Sequence, residues 1–202
     1  MLVQPTKRRR SPMEEKQEKD LDLRQRKTRR QLTQALVELM EERPFQELSV
    51  TDICRRAMVH RTTFYAHFND KQELLHYLMV QVERECIAAC VPQDAPTPRQ
   101  FFLTAARNTL AFFSARKGFY RACMASGADT QTRLLEDTAA EELARRLSQP
   151  PFPDALPGLD PRIAARFYVG AMLSLVRWWL LSPDPVPEAV LLEHLDRFIP
   201  HS

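Results

Sequence analysis

Apolar residues recur along much of the chain with the spacing of amphipathic helices. In the segment that starts at Thr28 they fall at i, i+3, i+4 and i+7, which places them on one face of a helix that stops before Pro44. The residues on this face are Leu32, Ala35, Leu36, Leu39 and Met40. Further helices are predicted over residues 50–57, 61–68, 70–90, 101–115, 130–147, 161–181 and 186–199, with a shorter aromatic segment at 119–124.

Glycine and proline usage supports this helical pattern. The chain of 202 residues has only four glycines, and its fifteen prolines gather mainly at 92–98, 150–161 and 183–187, between the predicted helices. We therefore predict an all-α fold. Residues 1–22 mix basic and acidic side chains with almost nothing to bury, so we expect a disordered tail there. Its basic run, Lys7 to Arg10, either contacts phosphates without specificity or only solubilises the chain.

Two predicted helices near the N-terminus are joined by a very short turn. Ser49 is followed three residues later by Asp52, the pattern of a capping box at the start of a helix with Val50, Ile53, Cys54 and Ala57 on its buried face. Met58 to His60 then form the turn. The next helix has Phe64 and Phe68 on its inner side, and Asn69 with Gln72 is predicted to cap the helix after it. This is the helix-turn-helix arrangement, in which the second helix of the pair enters the major groove of DNA.

The third helix carries side chains that suit base recognition. Arginine binds the O6 and N7 atoms of guanine, and threonine offers a hydroxyl and a methyl group. We predict that His60, Arg61, Thr62 and Thr63 read base edges from the amino end of this helix. Tyr65 points outward because Phe64 and Phe68 already occupy the inner face.

Residues 28–78 resemble the DNA-binding domain of the TetR/AcrR family of bacterial regulators. The resemblance is carried by Val59-His-Arg-Thr-Thr-Phe-Tyr-Ala-His-Phe68 with the following Asn-Asp-Lys-Gln-Glu-Leu-Leu75, and by Leu48 to Ala57. It implies phosphate contacts from Ser49, Thr51, Tyr65, His67 and Lys71. For His67, a capping or solvated role competes with a DNA contact. Many family members have Gly at the position of Met58, and a bulky residue resists the left-handed conformation there, so we expect this turn to differ slightly.

The resemblance also divides the chain. It implies a helix-turn-helix domain over residues 23–85, joined through a long helix to a ligand-binding and dimerisation domain over residues 86–202. Aromatic and methionine side chains of the second part could line a ligand pocket, although each could equally pack in the core. The candidate pocket residues are Phe102, Phe112, Phe113, Phe119, Tyr120, Met124, Tyr168 and Met172.

The helix over residues 161–181 is apolar on all sides and must therefore be covered on all sides. Its own neighbours can cover one side, and a second subunit would cover the other. Small residues at Gly170, Ala171 and Ser174 would admit a closely packed partner helix, so we predict a homodimer built on this helix and the last one. The candidate interface residues are Phe167, Gly170, Ala171, Ser174, Leu175, Trp178, Leu191 and Leu195.

Charge and cysteine usage agree with a DNA-binding protein of a reducing compartment. Lys and Arg outnumber Asp and Glu in residues 1–80 but not in residues 81–202, which suits a polyanionic partner of the N-terminal part. The four cysteines lack the spacing of a disulfide framework, and the N-terminus lacks the apolar stretch of a signal peptide. The longest apolar run, Phe167 to Val176, is too short to span a bilayer. We expect a soluble cytoplasmic protein.

The sequence therefore predicts a dimeric transcription factor that binds a palindromic double-stranded operator and is most simply a repressor released by a small molecule. We expect no metal or other cofactor: Cys86 and Cys90 share a helix face, but they have no neighbouring ligand cluster. An enzyme is disfavoured because no nucleophile motif or phosphate-binding glycine loop occurs. The alternative is a helical adaptor that binds proteins, which predicts no salt-dependent affinity for DNA. The effector's identity and the choice between repression and activation stay open.

Overall fold

The computed structural model describes residues 12–92, 95, 97–125, 129–150, 152–155 and 158–198. Within these residues there is no β-strand, and ten α-helices follow one another. Their bounds are α1 Pro12–Glu42, α2 Val50–Ala57, α3 Arg61–Tyr65, α4 Lys71–Cys90, α5 Pro98–Ala115, α6 Lys117–Ala125, α7 Asp129–Leu147, α8 Phe152–Ala155, α9 Pro161–Leu181 and α10 Glu188–Phe198. A single 3₁₀ turn, Phe45–Glu47, lies between α1 and α2. The predicted all-α fold is confirmed.

Helix α1 begins earlier than the sequence pattern indicates. It starts at Pro12, so the disorder expected for residues 12–22 is wrong, and residues 1–11 lie outside the described residues. Proline is favoured in the first turn of a helix, and no further proline or glycine follows before Glu42. The segment is rich in Glu and Lys, which have high helix propensity, so its composition favours a longer helix.

The predicted apolar faces of the first helices are confirmed. All five residues of the α1 stripe are buried, and so are Ile53, Cys54 and Ala57 on α2, while Val50 is half-buried. Phe64 and Phe68 are buried against these helices, with their rings 5.9 Å apart. Helix α3 ends at Tyr65 rather than at Phe68, so Phe68 lies in the turn that follows.

Helix α4 links the N-terminal helices to the rest of the molecule. Its N-cap is Asp70, whose carboxylate accepts from the Glu73 backbone N–H at 2.8 Å, rather than Asn69 as the sequence suggested. Asn69 instead donates to the Glu73 carboxylate. The helix runs to Cys90, as predicted, so the boundary expected at residue 85 falls inside it.

The remaining helices pack around α4 and α9. Thr97 and Asp160 cap α5 and α9, and each of these helices has proline at its first position. Helix α10 is joined to α5 by the Arg99–Asp196 ion pair, at 2.6 Å. One hydrophobic cluster runs without interruption from Leu32 on α1 to Leu180 on α9, and a second surrounds Phe101, Leu143 and Phe152. The first cluster connects the two parts of the chain through packed side chains.

Candidate DNA-binding surface and ligand cavity

Helix α2 begins with the capping box that the sequence predicts. The Ser49 hydroxyl accepts from the Asp52 backbone N–H at 3.1 Å, and the Ser49 backbone N–H donates to the Asp52 carboxylate at 3.0 Å. The Ser49 hydroxyl also donates to that carboxylate. These hydrogen bonds from Ser49, together with Arg43, lower the pKa of Asp52 to about 2. A phosphate contact from the Ser49 hydroxyl would therefore compete with its bond to Asp52.

The turn between α2 and α3 contains a left-handed residue, although its bulky Met58 disfavours that conformation. Met58 has φ 54° and ψ 42°, in the left-handed region, so the expectation of a different turn is wrong. The Val59 N–H donates to the Cys54 carbonyl at 2.9 Å and the Met58 N–H to the Arg55 carbonyl at 3.3 Å, the two bonds of a Schellman motif. The two hydrogen bonds hold Met58 in a conformation that normally favours glycine.

The predicted base-reading side chains lie together at the amino end of α3. Arg61, Thr62 and the N-cap residue His60 are exposed, and Thr63 is half-buried. The His60 side chain makes no capping hydrogen bond within the described residues. Tyr65 is 51% exposed, as predicted from the inward positions of Phe64 and Phe68. This set forms a short polar surface on a helix whose inner side is fixed in the core.

The phosphate contacts implied by the resemblance involve side chains in different environments. Thr51 is exposed on α2. His67 is half-buried, and burial together with the nearby Arg29 guanidinium lowers its pKa, so the imidazole is neutral at pH 7. A neutral imidazole can still donate one hydrogen bond to a phosphate. None of these contacts with DNA is tested by the DNA-free geometry, and they stay predictions.

Lys71 has a role that its sequence position does not reveal. Its ammonium donates to the backbone carbonyls of Phe45, Gln46 and Leu48, at 3.2, 3.0 and 2.6 Å. It also lies 4.9 Å from the centre of the Phe45 ring. Lys71 therefore holds the turn in front of α2 against the start of α4. The predicted phosphate contact would use the same ammonium and remains a prediction.

A cavity of about 280 Å³ lies between α4, α5, α6, α7 and α9. Three of the predicted pocket residues line it: Phe113, Tyr120 and Met124. A smaller cavity of about 60 Å³ is lined by two more, Tyr168 and Met172. Phe102, Phe112 and Phe119 line neither of these cavities. They pack instead against other aromatic rings, which corrects their assignment.

Sequence analysis missed the contribution of α4 to the larger cavity. His76, Met79 and Glu83 line it, as do Glu136 on α7 and Arg177 on α9. The spacing of the α4 residues, at i, i+3 and i+7, is the signal that could have found them, because it marks a second face beside the buried one. Because His76 is polar and Glu83 is charged, the sequence pattern favours a solvated face at these positions.

The candidate dimer residues differ in how exposed they are. Phe167 and Trp178 are 78% and 53% exposed, and Ala171 and Ser174 are exposed as well, whereas Leu175 and Leu195 are half-buried. Leu191 is 7% exposed and packs in the chain's own core, so its assignment to the interface is wrong. Gly170 faces α7: a Cβ there would lie 3.4 Å from the Glu136 carboxylate, so its small size serves contact within the chain.

Within the described part of the chain, no helix is both long and apolar enough to cross a membrane. Those residues also include no group of three or more His, Cys, Asp or Glu side chains that could hold a metal ion. The described geometry is that of a helix-turn-helix protein with an exposed polar recognition helix and an apolar cavity in its second part. This arrangement defines a class of DNA-binding regulators.

Comparison with known proteins finds a family match for the N-terminal part of the chain. Residues 32–78 match the model of the bacterial regulatory proteins of the tetR family. An uncharacterized HTH-type transcriptional regulator of Bacillus subtilis is 31% identical over 102 residues, which are 50% of this chain and 26% of that protein. Another uncharacterized HTH-type transcriptional regulator, of Mycobacterium tuberculosis, is 28% identical over 155 residues, which cover 74% of this chain and 71% of that protein. The chain thus spans about a quarter of the first relative and most of the second.

A solved structure shares the fold over nearly the whole chain. NalD, the secondary repressor of the MexAB-OprM multidrug efflux pump in Pseudomonas aeruginosa, aligns with a TM-score of 0.61 at 22% identity, covering 87% of this chain and 96% of its own. The family match at the head, the regulator relatives and the shared fold agree. Residues 32–78 thus match the DNA-binding domain of the tetR family of bacterial regulatory proteins, and the chain as a whole shares its fold with a solved repressor.

Proposed function

We propose that the protein is a homodimeric repressor that binds a palindromic operator in the cytoplasm and is released by a small, mostly apolar effector. The observation that carries this proposal is the shared use of α4. Its first residue, Lys71, holds the turn in front of α2, and His76, Met79 and Glu83 farther along it line the larger cavity. A ligand that shifts α4 would therefore shift the DNA-binding helices, because they are attached to the start of the same helix.

The chemistry of the cavity suggests what the effector looks like. Its walls are largely apolar, with Phe113, Met124 and Leu173 among them, and two carboxylates, Glu83 and Glu136, lie in the lining. An apolar compound with one hydrogen-bond-donating or basic group would fit this combination. Burial raises the pKa of Tyr120, so its phenol is a neutral hydrogen-bonding group beside the ligand.

The exposed apolar face of α9 supports a dimer. Ile163, Phe167 and Trp178 lie on one side of the helix and are each more than half exposed. On α10, Phe198 is 80% exposed. Large apolar side chains gathered on one surface usually mark a protein interface. A two-fold dimer would present two α3 helices to successive major-groove sites about 34–36 Å apart, which explains why a palindromic operator is expected.

Selection of bound DNA from random duplexes tests the DNA-binding part of the proposal. We expect enrichment of an inverted repeat whose half-sites lie one helical turn apart, with affinity that falls as salt rises. Absence of any enriched sequence, or affinity independent of salt, would support the adaptor alternative instead.

Sedimentation of Phe167→Glu and Trp178→Glu tests the dimer. Each change would place a charge in an apolar interface, so we expect a shift to monomer and loss of operator binding. Leu23→Glu is the matched control, since Leu23 is a similarly exposed apolar residue on α1. It should leave the sedimentation coefficient unchanged. A dimer that persists in both α9 variants would place the interface elsewhere.

The effector site can be tested with the neutral fluorescent probe N-phenyl-1-naphthylamine. The wild-type chain should bind the probe and lose operator affinity when it is bound. Met79→Trp fills part of the cavity and should abolish probe binding while leaving operator binding intact. Ala88→Trp, an exposed position on the same helix and outside the cavity lining, is the control. Equal probe binding by both variants would rule out this cavity.

A further inference from the structure

Two thiols touch each other in the wall of the smaller cavity. Cys86 and Cys90 lie four residues apart on α4, and their Sγ atoms are 3.7 Å apart. Both line the cavity of about 60 Å³ between α4, α5, α7 and α9. The other lining groups are almost entirely apolar, Phe101, Leu143 and Met172 among them. The two hydroxyls of the lining already donate to backbone carbonyls, that of Thr109 to Ala105 at 2.7 Å and that of Tyr168 to Phe102 at 2.8 Å.

The helix geometry disfavours a direct bond between these sulfurs. Residues four apart on a helix have Cβ atoms about 5–6 Å apart. A disulfide requires about 3.5–4.5 Å between its Cβ atoms and about 2.05 Å between its sulfurs. Forming one would therefore distort the last turn of α4.

A single atom that bridges the two sulfurs fits the same geometry without distortion. Two bonds of about 2.3 Å at an angle of about 95–110°, the range of pyramidal and tetrahedral centres, hold their sulfurs about 3.4–3.8 Å apart, a range that includes the 3.7 Å between Cys86 and Cys90. A linear bridge with the same bond length would need about 4.6 Å. The separation thus suits a bridging atom with bent geometry.

The surroundings restrict which atom this could be. Among the described residues there is no group of three or more ligating side chains, so a tetrahedral metal ion would find only half of its ligands here. A trivalent metalloid that already carries one carbon substituent has only two exchangeable positions, and two thiols satisfy it completely. A cavity of about 60 Å³ admits a methyl substituent, whereas benzene occupies an engineered cavity of about 150 Å³ in another protein.

We propose that Cys86 and Cys90 form a binding site for a small trivalent organoarsenical that carries one methyl-sized apolar substituent. In the binding reaction two S–As bonds form and two As–OH bonds break. The two thiol protons leave with the two hydroxyl groups as water, and arsenic stays trivalent, so no oxidant is needed. The substituent points into the apolar cavity. This site stands independently of the proposed repressor function.

The two thiols have different parts in this reaction. Contact with Cys86 lowers the pKa of the Cys90 thiol, whereas contact with Cys90 and burial raise the pKa of Cys86. Cys90 is also the more exposed of the two. Cys90 therefore attacks first, and Cys86 closes the bridge.

Titration of the reduced full-length protein with methylarsonous acid tests the proposal. Native mass spectrometry should find one methylarsenic group per chain, and thiol titration should find two thiols lost. A dithiol should reverse binding, whereas excess monothiol should not. Inorganic arsenite should bind about tenfold more weakly, because it would leave a hydroxyl in an apolar cavity. Phenylarsine oxide should also bind more weakly, and equal affinity for it would show that the substituent does not occupy this cavity.

Serine variants identify the thiols. Cys86→Ser and Cys90→Ser should each weaken methylarsonous acid binding at least about tenfold, with alanine variants as replacements if a serine variant has an altered circular dichroism spectrum. Cys123→Ser, in the neighbouring cavity, is the matched control and should bind like the wild type. Retention of the two-thiol adduct in a Cys86→Ser/Cys90→Ser double variant, or its loss in the control, would overturn the proposal.

Discussion

Replacing Met58 with glycine should stabilise the protein, although it removes a side chain. Met58 has φ 54° and forms the left-handed end of α2, and its side chain is 88% exposed. An L-residue pays roughly 1–2 kcal/mol for this conformation. Glycine avoids that cost, but it lowers the free energy of unfolding by about 0.5–1 kcal/mol because the unfolded chain has more conformational freedom at a glycine. Because the exposed methionine contributes little burial, we expect a net gain of about 0.5–1 kcal/mol.

Urea denaturation followed by circular dichroism measures this gain. Met58→Gly should raise the urea midpoint with an unchanged slope, and the thermal midpoint should rise by about 1–4 °C. Met58→Ala removes the thioether but keeps the Cβ atom, so it should stay within about 0.5 kcal/mol of the wild type. Operator affinity should be unchanged in both variants, because the Schellman hydrogen bonds of the turn use only backbone atoms.

The stabilities of Met58→Gly and Met58→Ala together test whether the left-handed conformation carries a free-energy cost. If Met58→Gly were no more stable than Met58→Ala, the left-handed conformation would carry no cost here, and the turn would differ in solution from the geometry described. If both variants were markedly less stable than the wild type, the methionine side chain would have contacts that its exposure does not indicate.

Three further predictions concern the DNA-binding helices. Arg61→Ala should cost roughly 1–3 kcal/mol of operator affinity and relax base preference at one position in a selection experiment; unchanged preference would remove Arg61 from the reading set. Lys71→Ala should weaken binding to all duplexes alike and reduce the slope of log affinity against log salt concentration by about one unit. It should also lower the urea midpoint of the free protein, because the Lys71 ammonium donates to three backbone carbonyls. A loss confined to particular DNA sequences would contradict this. Hydrogen bonds from Ser49 hold the pKa of Asp52 near 2, below its usual 3.8. The ionised Asp52 carboxylate therefore contributes fully to the free energy of unfolding above pH 4, and this contribution is lost as the pH falls towards 2. Asp52→Asn should flatten this acid limb of the urea midpoint, and an unaltered limb would show that other groups cause it.

How far the sequence predicts this protein depends on the range of the interaction involved. Helix faces and caps follow from residues three or four positions apart, so the α1 stripe, the Ser49–Asp52 capping box and the opposite orientations of Phe64 and Tyr65 could all be predicted. The observed helix bounds differ from the predicted ones where only local propensity sets them, as at the start of α1 at Pro12 and the end of α3 at Tyr65. The resemblance of residues 28–78 to the TetR family could also be found from the sequence, because the motif that carries it is a contiguous stretch.

Tertiary structure decided which groups meet across the chain. The sequence marked Gly170 as small and Leu191 as apolar, but only packing shows that one faces α7 and the other lies in the chain's own core. Lys71 reaches carbonyls more than twenty residues earlier in the chain. The larger cavity combines side chains from five helices and the smaller one from four. The local pattern determined the helices and which polar side chains α3 exposes. Which apolar faces pair with one another, and what space they leave between them, is a property of the assembled core, since one helix can bury its face against several partners.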